Sequence, residues 1–313
     1  MALLLVAQPA AAAEPNAVPL LEEVVVTGEQ PGPALWRVIS GAHVLWILGE
    51  VPQLPARVTW RSRQLETVLA TSQRVILDGR IVWGPQTRAE RAALDKARNL
   101  PRGRTLADVL PPELYARVED ARRAFARGER RFKYLQPYFA SNHLIMNSMK
   151  PLGVVAFGAS ITVQEMAEKL GVRVDGIQTV ADFDAYLESI RNGSTTPCLE
   201  VVVATLADGG AGVRALANAW AVGDIQQLRQ LAPLYAADST NHRAFECSAS
   251  LYGSAQRARA IASLHARKLL GAAEAALAAN PNTVLVVPIG ELLAPDGYLA
   301  ALGARGYKVL EPM

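Results

Sequence analysis

Four histidines and two cysteines are the only imidazoles and thiols in the 313-residue chain. No two histidines stand at H-x-x-x-H spacing, and two cysteines cannot build a four-cysteine zinc site. Metal or triad chemistry therefore has to rest on one or two histidines, or on carboxylates. A serine nucleophile is suggested by Gly158-Ala159-Ser160-Ile161-Thr162, which follows the apolar run Val154 to Phe157 as in a strand–turn–helix elbow. Thr162 stands where that elbow has glycine, and helix capping by Ser160 or Thr162 accounts for the same residues. Gly209-Gly210-Ala211-Gly212 follows a helical pattern rather than a strand, so it reads as a helix–helix linker and not a phosphate cradle. Arg117, Arg122, Arg123, Arg127, Arg130, Arg131 and Lys133 outnumber Glu119, Asp120 and Glu129. A solvated helix face explains them better than a nucleic-acid patch, because the whole chain carries a net charge of only +3. His43, His143 and His242 are scattered and read as surface or satisfied core histidines.

The elements that would position these residues follow from periodicity and turn chemistry. Trp36 to Ile39 and His43 to Leu48 pattern as two strands joined by the turn Ser40-Gly41-Ala42. Val75 to Leu77 forms a buried strand ending at Asp78, and Val172 to Ile177 another short one. Thr59 to Thr71, Thr87 to Ala97, Glu113 to Arg127 and Pro137 to Met149 are helical by pattern. Thr162-Val163-Gln164-Glu165 reads as a capping box opening a helix that ends near Gly171. Residues 180–279 are almost entirely helical; Thr283 to Val287 is a strong strand, Asp296 to Arg305 a helix and Tyr307 to Leu310 a final strand. The expectation is an α/β fold whose central β-sheet is built from N- and C-terminal segments, flanked by helices, with a large helical insertion at about 180–265.

Half the residues are hydrophobic and 19% are charged, which excludes a mostly disordered chain. The near-balanced charge excludes nucleic acid as an evident partner, and no apolar run reaches the ~18 residues of a membrane span. Residues 1–13 read as a signal-peptide remnant: Ala2 to Ala7 is an apolar core, Pro9 breaks it, and Ala10 to Ala13 precede Glu14. Residues 14–35, rich in Pro, Gly and Glu, form an extended arm, and 36–313 a single α/β domain. The expected location is the periplasm or another exported compartment. Export permits disulfides, and the only two cysteines, Cys198 and Cys247, both fall in the helical insertion, so they are expected to pair.

Six stretches in order carry a family pattern. Leu35-Trp36-Arg37-Val38 is followed by His43-Val44-Leu45-Trp46-Ile47-Leu48-Gly49 and by Leu54-Pro55. Next come Val75-Ile76-Leu77-Asp78, Gly176-Ile177-Gln178-Thr179 and Ala219-Trp220-Ala221-Val222-Gly223-Asp224. The last runs from Val284 through Asp296-Gly297-Tyr298-Leu299 to Gly306-Tyr307-Lys308-Val309. From about residue 35 to 311 the chain resembles the TraB/GumN family, related to the Tiki proteases and to the erythromycin-esterase/ChaN-like group. The resemblance implies a divalent-metal site for hydrolysis, made by two G-x-x-H motifs and a strand-end Glu. Imidazoles and a carboxylate at strand ends hold a metal and leave positions open for water.

The chain departs from that pattern at the motif residues. The first motif reads Gly49-Glu50-Val51-Pro52 and the second Pro288-Ile289-Gly290-Glu291, so Pro52 and Glu291 stand in place of the histidines. The strand-end Glu is Asp78, and the family's R-N-R appears as His265-Ala266-Arg267. Proline carries no side-chain donor atom. The resemblance places Glu50, Asp78 and Glu291 at one degenerate site, with Arg267 supplying the counter-charge. Glu50 and Glu291 are otherwise solvated or paired with Arg267 or Arg80. The leading expectation is a catalytically degenerate envelope protein that acts by binding or scaffolding, toward an unknown envelope protein or small ligand, with no cofactor. The alternative is a peptidase- or esterase-like hydrolase using Glu50, Asp78 and Glu291 to hold Mn²⁺, Mg²⁺ or Ca²⁺. The export expectation is checked directly: mass spectrometry of the protein recovered from the periplasm finds an N-terminus near Glu14, and an intact Met1 counts against export.

Overall fold

The computed structural model describes residues 32–51, 53–56, 60, 63–82, 84–156, 158–193, 195–232 and 242–312, without side chains for 242–245. The signal-peptide remnant, the arm up to residue 31, Pro52 and the His242 side chain lie outside the described residues.

The sheet grows from a hairpin. β1 (Leu35–Ser40) and β2 (His43–Glu50) pair antiparallel from Leu35↔Leu48 to Ser40↔His43, around the turn at Gly41-Ala42. β3 (Gln53–Pro55) follows, then α1 (Arg63–Thr71) and β4 (Arg74–Val82). The helices α2 (Arg88–Lys96), α3 (Leu106–Val109), α4 (Pro112–Phe125) and α5 (Pro137–Leu152) come next, then β5 (Val154–Ala156), α6 (Gly158–Lys169) and β6 (Arg173–Val180). A helical run continues with α7 (Phe183–Arg191), α8 (Thr196–Ala207), α9 (Ala211–Ala221), α10 (Ile225–Leu231), α11 (His242–Leu251) and α12 (Ala255–Ala279). β7 (Asn282–Pro288), α13 (Ile289–Leu293), α14 (Tyr298–Ala304) and β8 (Lys308–Leu310) close the chain.

The main sheet has six strands in the order β6-β4-β7-β2-β1-β8. β2, β7, β4 and β6 run parallel, and β1 is antiparallel to both β2 and β8. β7 lies at the centre because Thr283 to Val287 is buried throughout, the mark of a strand covered on both faces. β7 thus inserts between the early strands β2 and β4 while β8 adds to the edge beside β1, so both ends of the chain build the sheet, as the sequence pattern anticipates. β3 and β5 form a separate two-stranded sheet.

α12 covers one face. Its buried residues, Ala258, His265, Leu269, Leu270, Ala273, Ala276 and Leu277, recur at helical spacing, and the latter five join Val75, Ile76, Val284 and Leu285 in the main core. The alanines at 273 and 276 let the helix axis approach the strands closely.

Two features differ from the sequence reading. The helical layer is not one insertion: α3, α4 and α5 share a core with α8, so it is assembled from both sides of β6, and α12 belongs to the sheet. The capping box at Thr162–Glu165 is absent because α6 already begins at Gly158. Thr162 Oγ1 instead donates to Gly158 O at 2.8 Å, one turn back.

Cys198 on α8 and Cys247 on α11 are joined by a disulfide across 49 residues of chain. Closing a loop of this length contributes about 4 kcal/mol on the chain-entropy account. The double variant Cys198→Ala with Cys247→Ala is therefore less stable by about that amount in equilibrium denaturation. A midpoint unchanged from that of the oxidised parent would show that the bridge constrains nothing.

Candidate functional site at the carboxyl edge of the sheet

The parallel strands β2, β7, β4 and β6 all end at one edge. The register Glu50↔Pro288 sets Glu50 beside the start of α13, and Leu77↔Val286 sets Asp78 one residue lower on the other flank of β7. Open α/β sheets gather their ligand sites at such an edge.

Glu50 is only 3% exposed, so its carboxylate needs partners. Oε1 accepts the Ser160 N–H at 2.9 Å, in the first turn of α6, where the helix N-terminus favours negative charge. Oε2 accepts from the Arg80 guanidinium at 3.0 Å. The expected cation Arg267 is not the partner: it sits exposed on α12. The reason is helical geometry, since Arg267 is two residues, roughly 200°, around the helix from the buried His265.

Arg80 occupies an unusual backbone position. Its φ is +66°, the left-handed region that a long side chain seldom adopts, and it lies in the irregularity between Asp78 and Ile81 of β4. That turn aims its N–H at Asp78 Oδ1, 2.7 Å away, while its side chain reaches Glu50. One residue thereby serves both carboxylates.

Asp78 also faces α12. His265 Nε2 lies 2.8 Å from Asp78 Oδ1, and His265 Nδ1 lies 3.0 Å from Thr179 Oγ1 on β6. With Nε2–H donating to the carboxylate, a neutral ring accepts at Nδ1 from the Thr179 hydroxyl. Carboxylate, imidazole and hydroxyl stand in the order of a hydrolytic triad. Thr179, however, is 1% exposed, so no substrate carbonyl reaches its oxygen; the chain of contacts ties β4, α12 and β6 together. The sequence reading passed over His265 as a site residue, although its i+4 relation to Leu269 places it on the inner stripe of α12.

Glu291 lies in the first turn of α13, at the same edge and half-buried. Among the described residues, no group of three or more His, Cys, Asp or Glu could hold a metal ion. Glu50, Asp78 and Glu291 therefore share an edge without converging on a common ion, and Arg80 takes the place between the first two.

The motif residues around the edge have packing roles. A Cβ on Gly49 would meet Ile289 Cδ1 at 2.2 Å, so glycine lets α13 press against the end of β2. Trp220 Nε1 donates to Gly49 O, and its ring meets Trp60 edge-to-face at 4.9 Å. Asp224 caps α10 by accepting the Gln227 N–H.

The other sequence candidates are placed elsewhere. Ser160 is the third residue of α6 rather than the apex of a turn, and its N–H is taken by Glu50. Gly209 and Gly210 link α8 to α9, and Ala211 and Gly212 already belong to α9. On α4, Arg122 and Arg123 pair with Glu119 and Asp120, as on a solvated helix face. His43 Nδ1 is 2.7 Å from Leu277 O, and His143 packs beside Phe132.

The profile of the TraB/PrgY/gumN family matches residues 34–310. The chain belongs to this family. No curated protein and no solved structure gives a significant match. The family span includes every residue of the edge, from Gly49 and Glu50 to Glu291, and also both halves of the helical layer.

The Asp78–His265 contact generates a contrast within this family member. Both side chains are under a tenth exposed, so His265→Ala takes the imidazole from a buried carboxylate, leaves it only the Arg80 N–H, and destabilises by about 2–3 kcal/mol. Arg267→Ala, two positions away, changes stability by less than about 0.5 kcal/mol. Equal losses in denaturant titrations would mean that the imidazole does not hold Asp78.

Proposed function

We propose that this TraB/PrgY/gumN protein is exported and acts in the cell envelope by binding, without the metal-dependent hydrolysis that the family resemblance implies. The observation that carries the reading is the commitment of Glu50: its oxygens are engaged by the Ser160 N–H and the Arg80 guanidinium. A cation already beside a carboxylate competes with a metal for it. Asp78 is likewise engaged by His265 and the Arg80 N–H. Pro52 has no ligand atom to offer, and Glu291 offers a carboxylate where an imidazole would bind a transition metal.

Export is supported by the apolar, alanine-rich start and by the Cys198–Cys247 disulfide, which suits an oxidising compartment. No described helix is long and apolar enough to cross a membrane.

Calorimetric titration of the purified protein with Zn²⁺ and Mn²⁺ shows no micromolar site. The double variant Pro52→His with Glu291→His, which supplies an imidazole at both motif positions, creates one. Micromolar metal binding by the unaltered chain, or peptidase or esterase turnover in Mn²⁺, Mg²⁺ or Ca²⁺, would replace this reading with a carboxylate-based hydrolase.

A further inference from the structure

The two sulfurs of the disulfide sit in different surroundings. Cys198 is 3% exposed and lies in the first turn of α8, whereas Cys247 on α11 is half-buried. An incoming thiolate therefore meets the Cys247 sulfur first. Side chains on a helix lean toward its N-terminus, where negative charge is favoured, so Cys198 is the better thiolate leaving group. A hydroxyl stands beside it: Ser250 Oγ donates to Cys247 O at 2.7 Å and lies 3.8 Å from Cys198 Sγ. As the bond opens, the same hydroxyl can turn and donate to the new thiolate.

The helix that the bridge fastens has little other apolar anchorage among its described side chains. Of residues 246–251 only Leu251 is buried. Leu251 and Cys247 join Tyr186, Leu187, Ile190 and Cys198 in a small apolar cluster. Elements with few buried apolar contacts open locally at low cost, so the covalent tie within this cluster decides whether α11 stays docked.

α11 also reaches the sheet edge. Its Ala249, and Tyr252 just beyond it, share a second cluster with Ala181, Ala258 and Ile81. Ile81 follows Arg80, whose left-handed backbone serves Asp78 and Glu50. The docked α11 thus braces one side of the Arg80 turn.

We propose that the Cys198–Cys247 bridge is a redox switch: attack of a protein dithiol at Cys247 opens it, frees α11 to undock and loosens the Arg80 turn. First, a thiolate of the dithiol bonds to Cys247 Sγ, the bond between the cysteines breaks, and its electron pair leaves on Cys198. The second sulfur of the dithiol, also as thiolate, then displaces Cys247. The dithiol is oxidised to its disulfide, both cysteines are reduced, and the two protons of the dithiol end on them. The inference goes beyond the binding role set out above and does not depend on whether the edge holds a metal.

The test uses the full oxidised chain in native buffer. Reduced glutathione is the trapping probe: acid quench and alkylation during the reaction find glutathione on Cys247 and the alkyl label on Cys198. Glutathione on Cys198 instead, or a bridge that opens only in denaturant, overturns the proposal. Amide hydrogen exchange, read residue by residue before and after reduction with dithiothreitol, gives the structural response. A bridge that merely constrains the unfolded chain lowers protection equally in α11 and in β7. The switch lowers protection of residues 246–251 at least about tenfold more than that of β7, and the Arg80 amide falls with α11. Equal losses in α11 and β7, an unchanged α11, or an Arg80 amide that follows β7 overturn the proposal. Collapse of the circular dichroism signal on reduction shows global unfolding and overturns it as well.

Discussion

Two buried carboxylates stand on the strands either side of β7 and need polar partners, and Arg80 serves both. Its left-handed backbone directs the N–H to Asp78 and the guanidinium to Glu50, so one position hydrogen-bonds the first acid and neutralises the second. The strain of a non-glycine residue at positive φ is tolerated because the surrounding contacts over-determine it. From Glu50 the connection runs to the start of α6 through Ser160, and from Asp78 through His265 to Thr179. Strands β2, β4 and β6 and helices α6 and α12 are thus held by one polar network.

Around this network the apolar scaffold is independent of the charges. Ile289 presses on Gly49, and Trp220 anchors the carbonyl of the same glycine. These contacts hold the edge in place without using its carboxylates. The helical layer obeys a similar separation. Its core of α3, α4, α5 and α8 is closed by aliphatic side chains, while the Cys198–Cys247 bridge fastens α8 to α11 beside it.

Much of the architecture was legible before any coordinates. Alternation over Trp36 to Ile39 and His43 to Leu48 marks the hairpin, and the unbroken apolar run Thr283 to Val287 marks a strand covered on both faces. Both signals are local, so they survive without knowledge of neighbours. The start of α6 was not legible, because the partner that satisfies its first turn, Glu50, lies 110 residues away. The joining of 88–152 with 183–251 into one helical layer was equally hidden, since both segments are amphipathic and periodicity does not say which face meets which.

By itself the sequence determined the α/β class, the assembly of the sheet from both ends of the chain, the family pattern and the presence of Pro and Glu at positions 52 and 291. Each of these rests on residue identity or on short-range periodicity. Only the tertiary structure decided which cation neutralises Glu50. Arg80 and Arg267 were both available by composition. The backbone twist at β4 turns Arg80 inward, and the 3.6-residue turn of α12 carries Arg267 to solvent and His265 to Asp78. Pairing between charges distant in sequence depends on the direction each side chain leaves its element, and that direction is set by packing rather than by the residues' own preferences.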